Sequence, residues 1–133
     1  MEKISVLMAV YKNDASHYLA EALLSVLVDQ SLKPDQLVLV IDGHIPKALN
    51  DEVTSWEENF PQITTVRIEK NVGLSNAMNL GLEKCINEFV FRMDADDISA
   101  PDRFRLQMNV FNSDPTVSMI GGYYRQFDQN MVR

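Results

Sequence analysis

Phe89-Val90-Phe91-Arg92-Met93-Asp94-Ala95-Asp96-Asp97 is a short, largely apolar run that ends abruptly in three carboxylates. A buried parallel strand looks this way when it delivers an acidic site to the open edge of a sheet. Carboxylate oxygens are hard ligands that suit Mg²⁺ or Mn²⁺, and such sites leave room for substrate phosphates. An isolated Asp-x-Asp pair is more often a helix cap or a solvated loop, because short motifs match by accident. The weight of this one depends on its surroundings.

Those surroundings alternate. Ile4 to Val10 is a nearly unbroken apolar run, followed by a break at Tyr11-Lys12-Asn13-Asp14. Leu19, Ala22, Leu23, Val26 and Leu27 follow at helical spacing, which predicts a helix over roughly residues 16–30, capped by Asp14 or Ser16. A second buried strand, Leu37 to Ile41, stops at Asp42-Gly43. Ile45, Leu49, Val53, Trp56 and Phe60 predict a second helix with Pro46 near its first turn. Ile63 to Ile68 reads as a third strand, more polar and so nearer an edge, and Lys70-Asn71-Val72-Gly73 turns the chain after it. Leu74, Ala77, Met78, Leu82 and Cys85 share a helical face. After the opening stretch, Ser99 and Pro101 are placed to start a fourth helix through Phe104, Met108 and Phe111. Val117 to Tyr124, with Gly121-Gly122 inside it, has the look of a fifth strand.

Strand–helix alternation predicts an α/β fold, a mostly parallel sheet with helices on both faces. Ligands in such sheets bind outside the carboxyl ends of the strands, where the strand order reverses. That rule gathers Tyr11, Asp42, Asn71–Gly73 and Asp94–Asp97 at one end. Asp94 and Asp96 on an extended segment would face one ion, or one would hold the ion while the other accepts a ribose hydroxyl. Asp42 could accept from a base N–H or simply close a turn, and Tyr11 could stack on a base or simply pack. Gly73 lets backbone approach a ligand. Arg103 is placed to pair with a carboxylate of the acidic loop. His17 and His44 match no metal-ligand spacing and read as surface residues, and Cys85 reads as core rather than nucleophile.

Composition limits the alternatives. The chain has 133 residues, enough for one domain, and 46% of them are apolar. Its net charge of −7 argues against sequence-independent nucleic-acid binding, which needs Lys and Arg against phosphates. The single cysteine gives no internal disulfide framework, which fits a reducing, cytoplasmic setting. No signal-peptide pattern opens the chain and no stretch is long enough to span a bilayer. A dinucleotide-dependent dehydrogenase is disfavoured, since no G-x-G-x-x-G follows the first strand, and a nucleotidyltransferase lacks its Gly-rich basic loop.

Five motifs in order then resemble the family 2 glycosyltransferases, inverting enzymes of GT-A fold: Ser5–Tyr11, Leu39–Gly43, Asn71–Asn79, Met93–Asp97, and Ala100–Phe104 with Gln107. The likeness runs from Ile4 to about Tyr124, and is greatest to bacterial enzymes that build O-antigen, capsule or exopolysaccharide. It implies that Tyr11 and Asp42 contact a nucleobase, typically uracil. It implies further that Ala9, Asn71 and Gly73 lie along the nucleotide, with Asp94 near ribose and metal. Asp96 would ligate Mn²⁺ or Mg²⁺ with the diphosphate. Ala9 replaces a common Pro or Thr, and Ile41 a common first Asp, which alters base contacts. The implied partners are a nucleotide sugar, typically a UDP-sugar, and a saccharide or lipid-linked acceptor, with work at the cytoplasmic membrane face. The family's catalytic base belongs to an acceptor-binding half, expected beyond Arg133. Residues 1–133 are therefore expected to be the donor-binding portion; a non-catalytic nucleotide-sugar-binding module is the alternative.

Overall fold

In the computed structural model, residues 2–126 are described. The elements alternate as β1 (Ile4–Val10), α1 (Ser16–Leu27), β2 (Gln36–Asp42), α2 (Lys47–Asn59), β3 (Ile63–Ile68), α3 (Leu74–Leu82), β4 (Phe89–Asp94) and α4 (Arg103–Ser113). The four strands pair in parallel in the order β3-β2-β1-β4. β3 lies at an edge, as its polarity predicts. The order reverses at β1: the first two crossovers run one way, and the third returns past β1 to place β4. With right-handed connections, that reversal puts α3 on the face opposite α1 and α2.

The packing follows. Ile4, Val6, Met8 and Val10 of β1 join one apolar layer with Leu19, Leu23 and Val26 of α1, Leu49 and Val53 of α2, and Phe104 and Met108 of α4. Leu7, Val38 and Val40 point the other way, onto Ala77 of α3. Strand alternation thus feeds two cores, and β1 and β2 are buried along almost their whole length.

Several local expectations need correction. α1 ends at Leu27 rather than near 30, and its N-cap is Ala15 with no side-chain hydrogen bond. Asp14 does not cap it, because its carboxylate accepts the Tyr11 N–H at 2.9 Å while its own N–H donates to the Tyr11 carbonyl. Ser99 and Pro101 do not start α4, whose N-cap is Asp102. The Ser99 N–H donates to Ser25 Oγ instead, and the Pro101 carbonyl accepts the Ser31 N–H. α3 seats on the sheet through Ala77 and Gly81, whereas Leu74 and Leu82 are about half exposed. A helix this close to the strands leaves space only for small residues: a Cβ on Gly81 would lie 2.4 Å from Val40 Cγ2. Cys85 falls beyond the end of α3, in a turn that packs against the same layer.

The expected fifth strand is not formed within residues 117–124. Among the described residues no fifth strand joins the sheet, and Met119, Tyr123 and Tyr124 are more than four-fifths exposed. Apolar, β-prone residues make a strand only when a neighbouring strand takes up their backbone groups.

Gln30 anchors the site from behind. This buried side chain donates to the carbonyls of Ser25 (2.9 Å) and Ala100 (2.7 Å) and accepts the Phe104 N–H (3.2 Å). It ties the end of α1 to the segment between the acidic turn and α4.

Candidate functional site

A cleft of about 850 Å³ opens at the carboxyl ends of the strands. The topology puts it there, since β1 and β4 are neighbours on either side of the reversal. Ala9, Tyr11, Asp42, Asn71, Gly73, Asp94 and Asp96, separated in sequence by up to 87 positions, all line it. Parallel register sets Asp94 directly beside Ala9, and the small side chain there leaves the Asp94 carboxylate open to the cleft.

At one pole are the carboxylates. The chain does not stay extended after β4; the Asp97 N–H reaches the Asp94 carbonyl at 3.3 Å, closing a turn. The turn brings one oxygen each of Asp94, Asp96 and Asp97 within 4.8 Å of one another, all three residues being exposed. Asp97, given no role from the sequence, is therefore part of the cluster. Its pKa is raised, first by partial burial and then by the charges of Asp94 and Asp96. Asp14 joins the same field: burial raises its pKa, the Tyr11 N–H opposes this, and Asp96 and Asp94 add to the rise. The nearest cation, Arg92, reaches Asp94 only at 3.6 Å with both side chains exposed, a pair that neutralises little. Oxygen-only donors, crowded and under-compensated, fit a hard divalent cation.

At the other pole are the turns after β2 and β3. Asp42 is 4% exposed, and its two oxygens accept the N–H groups of Val72 (2.8 Å) and Gly73 (3.1 Å). Asn71 Nδ2 donates to the Asp42 carbonyl at 3.3 Å, and the Gly43 N–H donates to the Ile68 carbonyl at 3.0 Å. Gly43 has φ +85°, and a Cβ there would meet Asn71 N at 2.7 Å, so both conformation and contact require glycine. Tyr11 lines the cleft and is 42% exposed.

Lys12, Asp14, His44, Glu69, Lys70, Leu74 and Arg92 also line the cleft and are not foreseen as site residues. Most lie within four positions after a strand end, so the strand-end rule applied residue by residue would have found them. His44 is exposed, as expected, but on the cleft wall; His17 is exposed and outside the lining. Arg103 has no carboxylate partner among the described residues. Its guanidinium donates to the Arg92 carbonyl (3.0 Å) and to Gln107 (3.3 Å), and lies over the rings of Phe91 and Phe104. It fastens β4 to α4, and burial lowers its pKa.

The family model of Glycosyl transferase family 2 matches residues 5–132. The chain belongs to this family. This family 2 chain is 39% identical over 126 residues to the amylovoran biosynthesis glycosyltransferase AmsE of Erwinia amylovora, covering 95% of the chain and 47% of that enzyme. It is 34% identical over 128 residues to the Escherichia coli UDP-Gal:alpha-D-GlcNAc-diphosphoundecaprenol beta-1,3-galactosyltransferase, covering 96% and 46%. It spans just under half the length of these relatives. Among solved structures, it is similar to the Pyrobaculum calidifontis mannosyltransferase PcManGT in complex with GDP-Man and Mn²⁺ (TM-score 0.70, 25% identity, 87% of this chain and 34% of that one). The fold is also that of S. aureus TarS 1-349 in complex with UDP (TM-score 0.72, 22% identity, 97% and 39%). The GT-A fold expectation is borne out, as is the family 2 resemblance with relatives in bacterial polysaccharide synthesis. Among the described residues no helix is long and apolar enough to cross a membrane.

Proposed function

We propose that residues 1–133 are the donor-binding portion of an inverting glycosyltransferase that takes a nucleotide-activated sugar, typically a UDP-sugar. The observation that carries this reading is one cleft with two chemically distinct poles: three clustered carboxylates at one, and Tyr11 with the stitched Asp42 and Asn71–Gly73 turns at the other. A nucleoside diphosphate has the matching polarity, a planar base at one end and a chelating diphosphate at the other.

Tyr11 serves the base by stacking; Ala9, Asp42, Asn71 and Gly73 line the nucleotide; Asp94 serves the ribose or the metal; Asp96, with Asp94, holds Mn²⁺ or Mg²⁺. When bound, the cation neutralises charge that builds on the leaving diphosphate. The chain's own residues bind and orient the donor. The base that deprotonates the acceptor hydroxyl lies outside this set, in an acceptor-binding part that relatives of twice the length have room to hold. The named acceptor of the E. coli relative is lipid-linked. That name supports a saccharide or lipid-linked acceptor here, in building cell-surface polysaccharide; work at the cytoplasmic face of the membrane is part of the proposal and rests on the family resemblance alone.

Calorimetric titration of UDP and GDP into the chain, with and without Mn²⁺, tests the reading. Metal-dependent binding that Asp96→Ala abolishes is the expected result. Absence of nucleotide binding in either condition defeats the site assignment.

A further inference from the structure

Asp42 is the most heavily committed acid of the cleft. Its carboxylate is buried, and each oxygen is already engaged by a backbone N–H of the turn after β3. Asn71 Oδ1 also accepts the Gly73 N–H at 3.2 Å and Asn76 Nδ2 donates to the Val72 carbonyl at 2.9 Å, but both of those ties are exposed, and the backbone they help to hold is a demanding one. Gly73 has φ +88° and ψ 159°, a region open essentially to glycine alone, and it is the N-cap of α3 with no side-chain cap. A Cβ added there would meet nothing within 4 Å, so the constraint on Gly73 is conformational and not one of space.

Resting on the donor-binding reading above, we propose that Asp42 is a positioning residue. It presets the Asn71–Gly73 turn as the rigid wall of the cleft and acts on the nucleotide through that turn, whatever the base. Three observations converge. Two charge-assisted bonds end on consecutive N–H groups, which fixes the peptide between them in orientation as well as place. The Asn71 amide returns a bond to the Asp42 carbonyl, and Gly43 packs its backbone against Asn71, so the two turns move as one unit. Asn71 and Gly73 line the cleft beside Asp42, whose nearly buried carboxylate is turned onto the Val72 and Gly73 N–H groups. A wall ordered before the ligand arrives saves the ordering cost at binding.

The test uses Asp42→Asn, which keeps shape but replaces one acceptor oxygen with an NH₂ that confronts an N–H. Gly73→Ala is its companion, straining the same turn while leaving Asp42 intact. Hydrogen exchange of the Val72 and Gly73 amides reads the turn directly, and UDP and GDP affinities with Mn²⁺ read its effect. The expected result is faster exchange of both amides in Asp42→Asn, by about tenfold or more. UDP and GDP affinities should fall by a common factor, Gly73→Ala should show the same base-independent loss, and the double variant should lose less than the two factors multiplied. Unchanged amide exchange overturns the proposal, as does a loss confined to one base, which would make Asp42 a base reader. If Asp42→Asn does not fold, Gly73→Ala decides alone: unaltered affinity overturns the proposal. If exchange accelerates but the unaltered chain binds neither nucleotide, the donor-binding reading fails and the positioning role falls with it, while the clamp survives as a structural fact.

Discussion

Gly81→Ala separates two effects that predict opposite signs. Helix propensity alone favours alanine over glycine by about 1 kcal/mol in a helix interior. Against it stands the approach of α3 to the sheet, where the new Cβ would lie 2.4 Å from Val40 Cγ2 and 2.6 Å from Leu7 Cδ1. Leu7 can turn its side-chain end, but Val40 is β-branched and fully buried in β2, so it cannot yield cheaply. The helix must lift, opening contacts along Ala77, the other residue through which it is buried. Overpacking of this kind costs about 1–3 kcal/mol, and the shortness of both contacts puts this site in the upper part of that range. Net of propensity, the variant should lose about 1–2 kcal/mol, or about 4–7 °C in Tm for a domain of this size. Because Gly73 is the N-cap of α3, displacement of the helix should also weaken nucleotide binding under the proposed donor-binding reading. Thermal and urea unfolding give the first number and calorimetry the second. A Tm that rises in Gly81→Ala would refute the close-packing argument outright.

Other expectations follow from the same structure. Gln30→Leu leaves the Ala100 carbonyl and the buried Phe104 N–H without their partner; it should cost about 2–4 kcal/mol in urea unfolding, and an unchanged midpoint would contradict the anchoring role. Asp114 accepts bonds from the Thr116 hydroxyl and N–H, which lower its pKa. Its small stabilising effect is therefore present above the unfolded aspartate pKa and lost as pH falls through the folded one; NMR titration should place its midpoint below ordinary aspartate and Thr116→Val should raise it. Burial raises the Cys85 thiol pKa, so it should react with a disulfide reagent at pH 8 more slowly than free cysteine; equal rates would mean an open thiol.

What could be read in the sequence was whatever rests on periodicity and on strand ends. The apolar runs of β1 and β2 were plain because a strand buried on both faces carries no polar alternation to confuse it, whereas β4, expected to be buried, lies at an edge of the described sheet with Arg92 and Asp94 exposed. Tyr11, Asp42, Asn71 and Asp94 could be grouped because the carboxyl-end rule depends on topology alone. Gly81 was hidden: a search for large apolar residues selects Leu74 and Leu82, while the contact is made where a side chain is missing. The cluster membership of Asp97 depends on a turn, and periodic patterns do not describe turns. Gln30, a buried amide among polar neighbours, has no signature until its three partners are brought near by tertiary folding. The stretch Val117–Tyr124 misled because strand propensity describes a side chain's taste and not whether a neighbour is present.

The placement of Asp94 beside Ala9, with Asp42 at the end of the strand on the far side of β1, makes the sheet a ruler. The acidic pole and the stitched pole stand two strand spacings apart, about 10 Å across the sheet. Backbone hydrogen bonds set that length, so no side-chain substitution can lengthen or shorten it. Changes at either pole alter its chemistry. The span between them stays constant, and any ligand that engages both poles must be cut to it.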